Sequence, residues 1–149
     1  MSSYVPAALR RLVVDRAHGL CEYCLIHEDD TFIGCQVEHI VSEKHGGMTN
    51  EENLAYACVF CNRFKGSDIA SISASTGQLC RLFNPRSDEW ARVFRLDGAT
   101  ILPKTDVGEV TVQLLGMNHP ERLLEREILR RVNRYPSPAA AMKLSARGA

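Results

Sequence analysis

The sequence predicts an α+β fold: a ββα unit stapled by four cysteines, with one helix before it and an extension of a hairpin and helices after it. Three observations predict this. Two Cys-x-x-Cys pairs, Cys21/Cys24 and Cys58/Cys61, are separated by 33 residues, so whatever joins them closes a long loop. Inside that loop, Phe32 to Val41 and Leu54 to Ala57 are apolar and partly alternating, the pattern of two strands. Immediately after them, Val59 to Lys65 has the composition of a short helix. The expected organisation is one domain over residues 1–136, with a finger core at 21–66 and an extension at 67–136. The stretch 137–149 is expected to be a disordered tail.

Taken in order, Val5 to His18 reads as an amphipathic helix. Pro6 suits its first position, Leu9, Leu12, Val13 and Ala17 share one face, and Gly19 serves as the C-terminal stop. It is expected to pack against the cysteine knuckle that follows. Tyr23 to Thr31 is a polar, acidic loop, and Ser42 to Glu52 is a second loop turned by Gly46-Gly47. Beyond Gly66 a Ser/Ala-rich connector runs to Gly77, and Asn84-Pro85-Arg86 is a turn. Trp90–Asp97, Gly98 and Thr100–Pro103 read as a hairpin. Val107–Met117 is a helix, and Glu121–Arg134 a stronger one, opened by Pro120 and ended by Pro136. The tail from Ser137 is rich in Ala, Ser and Pro.

Composition narrows the function. A chain of 149 residues that is 45% hydrophobic and 24% charged is of ordinary globular make-up. No segment reaches the roughly 20 apolar residues of a membrane span, and Arg10, Arg11 and Asp15 interrupt any leader-like run. The chain is expected to be cytoplasmic, where paired Cys-x-x-Cys motifs bind metal rather than form disulfides. A formal net charge of zero argues against a bulk binder of nucleic acid. The charges are nevertheless segregated. Residues 22–52 hold eight acids and one base, and residues 63–95 hold six bases and three acids.

Four cysteine sulfurs are the ligand set zinc prefers in a closed tetrahedral site, so Cys21, Cys24, Cys58 and Cys61 are assigned to structural zinc. A redox pair is the alternative, disfavoured because two pairs stand so far apart. Cys35 and Cys80 lack a partner motif and read as small buried apolar residues. A lone histidine in an apolar strand, such as His39, is ordinarily a core residue. Ideal strand alternation would also send Glu38 and His39 to opposite faces.

As an ensemble, however, Cys-Glu-Tyr-Cys at 21–24, Glu-His-Ile at 38–40, Gly-Gly at 46–47, Glu-Asn-Leu at 52–54 and Cys-Val-Phe-Cys-Asn-Arg-Phe-Lys at 58–65 resembles the HNH endonucleases. Those enzymes carry a ββα-metal finger, often in this four-cysteine zinc form. The resemblance implies that the first strand ends at Glu38-His39, letting both reach one site. It implies His39 as general base, Glu38 and Asn62 as oxygen ligands of a catalytic Mg2+ or Mn2+, and Asn53 as the residue orienting the His39 segment. Many members carry Asp where Glu38 stands and His where Asn62 stands. Arg63 and Lys65, on the helix that bears Asn62, are expected to meet the phosphate backbone, with His45 as a further contact. Arg86 and Trp90 read as turn and core residues. The function implied is metal-dependent hydrolysis of phosphodiester bonds in DNA, with RNA left open. The alternative is a non-catalytic zinc finger that binds nucleic acid or a protein partner.

Overall fold

A computed structural model describes residues 4–145. Helix α1 (Ala7–Ala17) starts one residue later than a first-position proline would give, with Pro6 as its N-cap. It ends at His18, which itself takes the left-handed conformation at φ 53°, just ahead of Gly19. Val13 and Ala17 are buried and Leu9 and Val14 partly so, but Leu12 is exposed. The helix packs chiefly on the second strand, burying Val13 and Ala17 with Leu54 and Tyr56, rather than on the cysteine knuckle.

Strands β1 (Cys35–His39) and β2 (Leu54–Cys58) pair antiparallel, with Glu38 opposite Ala55 and His39 opposite Leu54. β1 is shorter than the apolar run suggests, because Phe32 and Ile33 project outward and Gly34 turns the chain at φ 84°. All five residues of β2 are buried. Leu54 and Tyr56 face α1, while Ala55 and Ala57 join the main core, so the strand is covered on both sides and loses its polar alternation. Helix α2 (Val59–Lys65) follows without a loop. The Tyr23–Thr31 segment divides in two: Tyr23 to Ile26 is buried, and Glu28–Asp30 forms a 3-10 turn.

The extension departs most from expectation. The supposed connector contains a hairpin, β3 (Ala70–Ile72) with β4 (Leu79–Arg81). Its tip is ordered by Glu109, whose carboxylate accepts from Ser75 N at 2.9 Å and from the hydroxyls of Ser75 and Ser73 at 2.7 and 3.2 Å. Trp90 opens not a strand but a short helix, α3 (Trp90–Val93), ahead of β5 (Phe94–Asp97) and β6 (Thr100–Pro103). Helices α4 (Asp106–Leu114) and α5 (Pro120–Arg131) follow. Thr105 caps α4 by accepting from Gly108 N at 3.1 Å. The tail is ordered as far as it is described. Pro138–Ala140 is a 3-10 turn and α6 (Ala141–Leu144) a helical turn, with Ala140 buried in the core. Residues 146–149 of the expected disordered tail lie outside the described residues.

One apolar core joins finger and extension: Tyr23, Ile40 and Ala57 pack with Phe83, Trp90, Phe94 and Ile101. Trp90 Nε1 donates to Tyr23 O at 2.8 Å, and Tyr135 Oη to Cys24 O at 2.7 Å, so the extension grips the first knuckle directly. Arg86, expected only to turn the chain, ion-pairs with buried Glu22 and donates to Leu54 O at 3.1 Å. Among the described residues no helix is long and apolar enough to cross a membrane.

Candidate functional site

The four cysteines are buried and their sulfurs lie within 4.8 Å of one another. Tetrahedral zinc at about 2.3 Å from each sulfur requires S···S separations of about 3.8 Å, and Cys24 and Cys58 Sγ are 3.7 Å apart. In each knuckle a backbone N–H points at the first sulfur, Cys24 N to Cys21 and Cys61 N to Cys58, both at 3.5 Å. Arg122, buried on α5, adds a cation: Nη2 lies 3.4 Å from Cys61 Sγ and 3.7 Å from Cys58 Sγ. Four sulfurs, two amide donors and one buried guanidinium are a fitting seat for zinc as a tetrathiolate, whose negative charge needs such donors. Cys35 and Cys80, expected to be buried, are only half-buried.

A cleft of about 440 Å3 is lined among others by Gln36, Glu38, His39, Ser42, Asn62 and Gly66. Glu38 and His39 both reach it because β1 ends at His39 and the chain bends away. Glu38 is buried and its carboxyl is pushed up to about 7 by desolvation, against the pull of Lys65. Its Oε1 has no hydrogen-bond donor among the described residues. A buried carboxylate oxygen left without a donor at the edge of a cleft suits a hard cation. Asn62 Nδ2 donates to Gln36 Oε1 at 2.8 Å, which leaves Asn62 Oδ1 as the amide atom that could join Glu38 in holding one.

His39 Nε2 lies 2.9 Å from Thr49 Oγ1, and that hydroxyl is 3.5 Å from Glu43 Oε1. The direction of the His39–Thr49 contact follows the imidazole tautomer, and in either case it holds the ring at the cleft. Asn53 locks the loop behind the histidine. Its Oδ1 accepts from Val41 N at 2.9 Å, and its Nδ2 donates to Val41 O and Met48 O, both at 2.8 Å. Gly47 is required by close approach, since a Cβ there would sit 1.7 Å from Val41 O.

Three expected contacts fall outside the cleft. Lys65, expected to face a phosphate, is 1% exposed. Its Nζ donates to Ile40 O at 2.8 Å and His39 O at 3.4 Å, because the carbonyls where β1 ends need a donor and Lys65 is the cation beside them. His45 is exposed on the 3-10 turn Glu43–His45 and does not line the cleft. Arg63 is exposed on α2 and also lies outside the lining. Thr49, Gln36 and Arg122 escaped sequence reasoning. Arg122 is 61 residues beyond Cys61, so no local spacing marks it, and Thr49 is one of several polar residues in its loop.

No curated protein and no solved structure matches the chain. The HNH endonuclease family profile matches residues 21–68, less than half of the chain but the whole of the cysteine cluster and the residues from Glu38 to Asn62. That family supports a nuclease-type function in general terms. Residues 21–68 thus match the HNH endonuclease family profile and form an α+β finger around four cysteines placed to bind a metal.

Proposed function

We propose that the protein is a metal-dependent endonuclease that hydrolyses phosphodiester bonds in DNA. The observation that carries the reading is the single cleft that gathers Glu38, His39 and Asn62 behind a zinc-type cysteine cluster. A divalent cation, Mg2+ or Mn2+, supplies charge neutralisation at the scissile phosphate and its leaving oxygen when bound. Glu38 and Asn62 are the residues that would hold it through oxygen. His39 accepts the proton of the attacking water, its ring held in place by the Nε2 contact with Thr49. Asn53 fixes the loop on which the imidazole rests, and the cysteine cluster fixes α2 and with it Asn62. Arg63 and His45 are backbone contacts outside the cleft, available to a duplex that lies across it.

The test is supercoiled plasmid incubated with the zinc-loaded protein, with and without Mg2+ or Mn2+, read for nicked and linear forms. Cleavage that EDTA abolishes and Mg2+ or Mn2+ restores, with the fold intact by circular dichroism, is the expected result. Binding of DNA without any cleavage under these conditions would instead fit the non-catalytic finger.

A further inference from the structure

Helix α5 wears its polarity inside out. Arg122 and Arg126, one turn apart, both point inward and are buried. Arg122 reaches Leu115 O and the cysteine sulfurs, and Arg126 donates to Ala99 O and Met117 O, each at 2.7 Å. The inward face is held by arginines because those carbonyls and sulfurs need donors. Three apolar residues are exposed on the other side, Leu124 and Ile128 of the helix and Val132 at its C-cap, at 62%, 52% and 61%, while Leu129 packs against the core. At about 100° per residue, Glu121, Leu124, Ile128 and Arg131 lie within one arc of about 100°, roughly opposite the two arginines. An amphipathic helix ordinarily buries its apolar stripe, and among the described residues nothing covers this one.

We propose that this face of α5 pairs with α5 of a second copy of the chain, antiparallel across a two-fold axis. The charges on the page select that occupant. In an antiparallel pair, the register that sets Leu124 opposite Ile128 of the second copy also sets Glu121 opposite its Arg131, because the two pairs share one midpoint on the helix. By symmetry each contact occurs twice, as a two-fold interface requires. Glu121 makes no ion pair among the described residues, and Arg131 has only a 3.9 Å contact with Glu127 and is well exposed, so both are available. The helix dipoles are also opposed in this arrangement. A membrane surface would favour cations along both flanks of the stripe, whereas Glu121 and Glu127 border it. Three apolar side chains per copy are well short of the ~800 Å2 per partner of a stable interface, so the dimer is a weak one that forms with concentration.

Sedimentation velocity of the zinc-loaded full chain, from about 1 µM to about 300 µM, measures it. The wild type is expected to pass from monomer to dimer, and Ile128→Glu to remain monomeric with an unchanged thermal melt. Arg131→Glu sets like charges opposite each other twice and is expected to weaken the dimer about tenfold or more. The double variant Glu121→Arg/Arg131→Glu restores opposite charges and is expected to recover the wild-type constant to within about threefold. A wild type that stays monomeric at the highest concentration overturns the proposal. So does a dimer indifferent to Arg131→Glu, or one that the double variant fails to rescue. Binding to anionic phospholipid vesicles by a chain that stays monomeric would assign the stripe to a membrane and overturn it too.

Discussion

Replacing Lys65 by Met removes the ammonium and keeps most of the buried stem. Lys65 Nζ donates to Ile40 O at 2.8 Å and to His39 O at 3.4 Å, and its charge favours the ionised Glu38 carboxylate. A hydrogen bond from a charged group contributes about 1.5–3 kcal/mol, and a buried charge deprived of its partner costs about 3–5 kcal/mol. Glu38, already raised to about 7, escapes the second cost by holding its proton. The expected loss is therefore about 2–3 kcal/mol, which lowers Tm by roughly 5–10 °C for a chain of this size. Thermal melts of the zinc-loaded protein measure the first effect. The second readout is the dependence of DNA affinity on salt. A phosphate contact contributes about one unit to the slope of log K against log salt, so Lys65→Met should leave the slope unchanged and Arg63→Met should lower it. An unshifted melt together with a slope reduced by one would show that Lys65 contacts phosphate and that the brace is not what holds the end of β1.

Asn53→Ala removes three hydrogen bonds from the loop behind His39; cleavage should fall strongly, and stability by about 1–3 kcal/mol, as read by activity and denaturant titration. Cys61→Ser should abolish zinc binding by elemental analysis and with it most of the native circular dichroism, because binding a structural zinc is folding free energy. Glu38→Gln should be inactive yet more stable above pH 7 without added divalent cation. The sign follows from the raised pKa: the folded protein holds this proton more tightly than the unfolded chain, so stability is full below the ordinary glutamate range near 4.5 and declines as pH rises to about 7. The glutamine escapes that decline, worth roughly 3 kcal/mol at most. A wild-type melt no lower at pH 8 than at pH 4.5, relative to the variant, would contradict it.

The finger was legible because its signals are local. Each Cys-x-x-Cys makes a knuckle by itself, Gly46-Gly47 marks a turn, and α2 runs over the very residues its pattern indicates. Glu38 and His39 seemed to face apart under ideal alternation. The cleft receives both because the strand stops at His39 and Asn53 bends the chain beyond it. What the sequence could not show depends on distant partners. The 67–77 stretch has connector composition, yet Glu109, 34 residues beyond Ser75, pins it into a hairpin tip. Lys65 looks like a surface cation until the carbonyls at the end of β1 are placed beside it. Arg122 and Arg126 of α5 turn inward because cysteine sulfurs and loop carbonyls there require donors, and no local pattern marks them.

The proposed role of His39 is that of general base in a DNA-cutting cleft. It is tested most directly by His39→Ala assayed in parallel for zinc content, DNA affinity and plasmid cleavage with Mg2+. One zinc per chain and affinity close to the parent are expected, with cleavage reduced about 10²–10⁴-fold. A variant that retains zinc and affinity and cuts at the parental rate would contradict it.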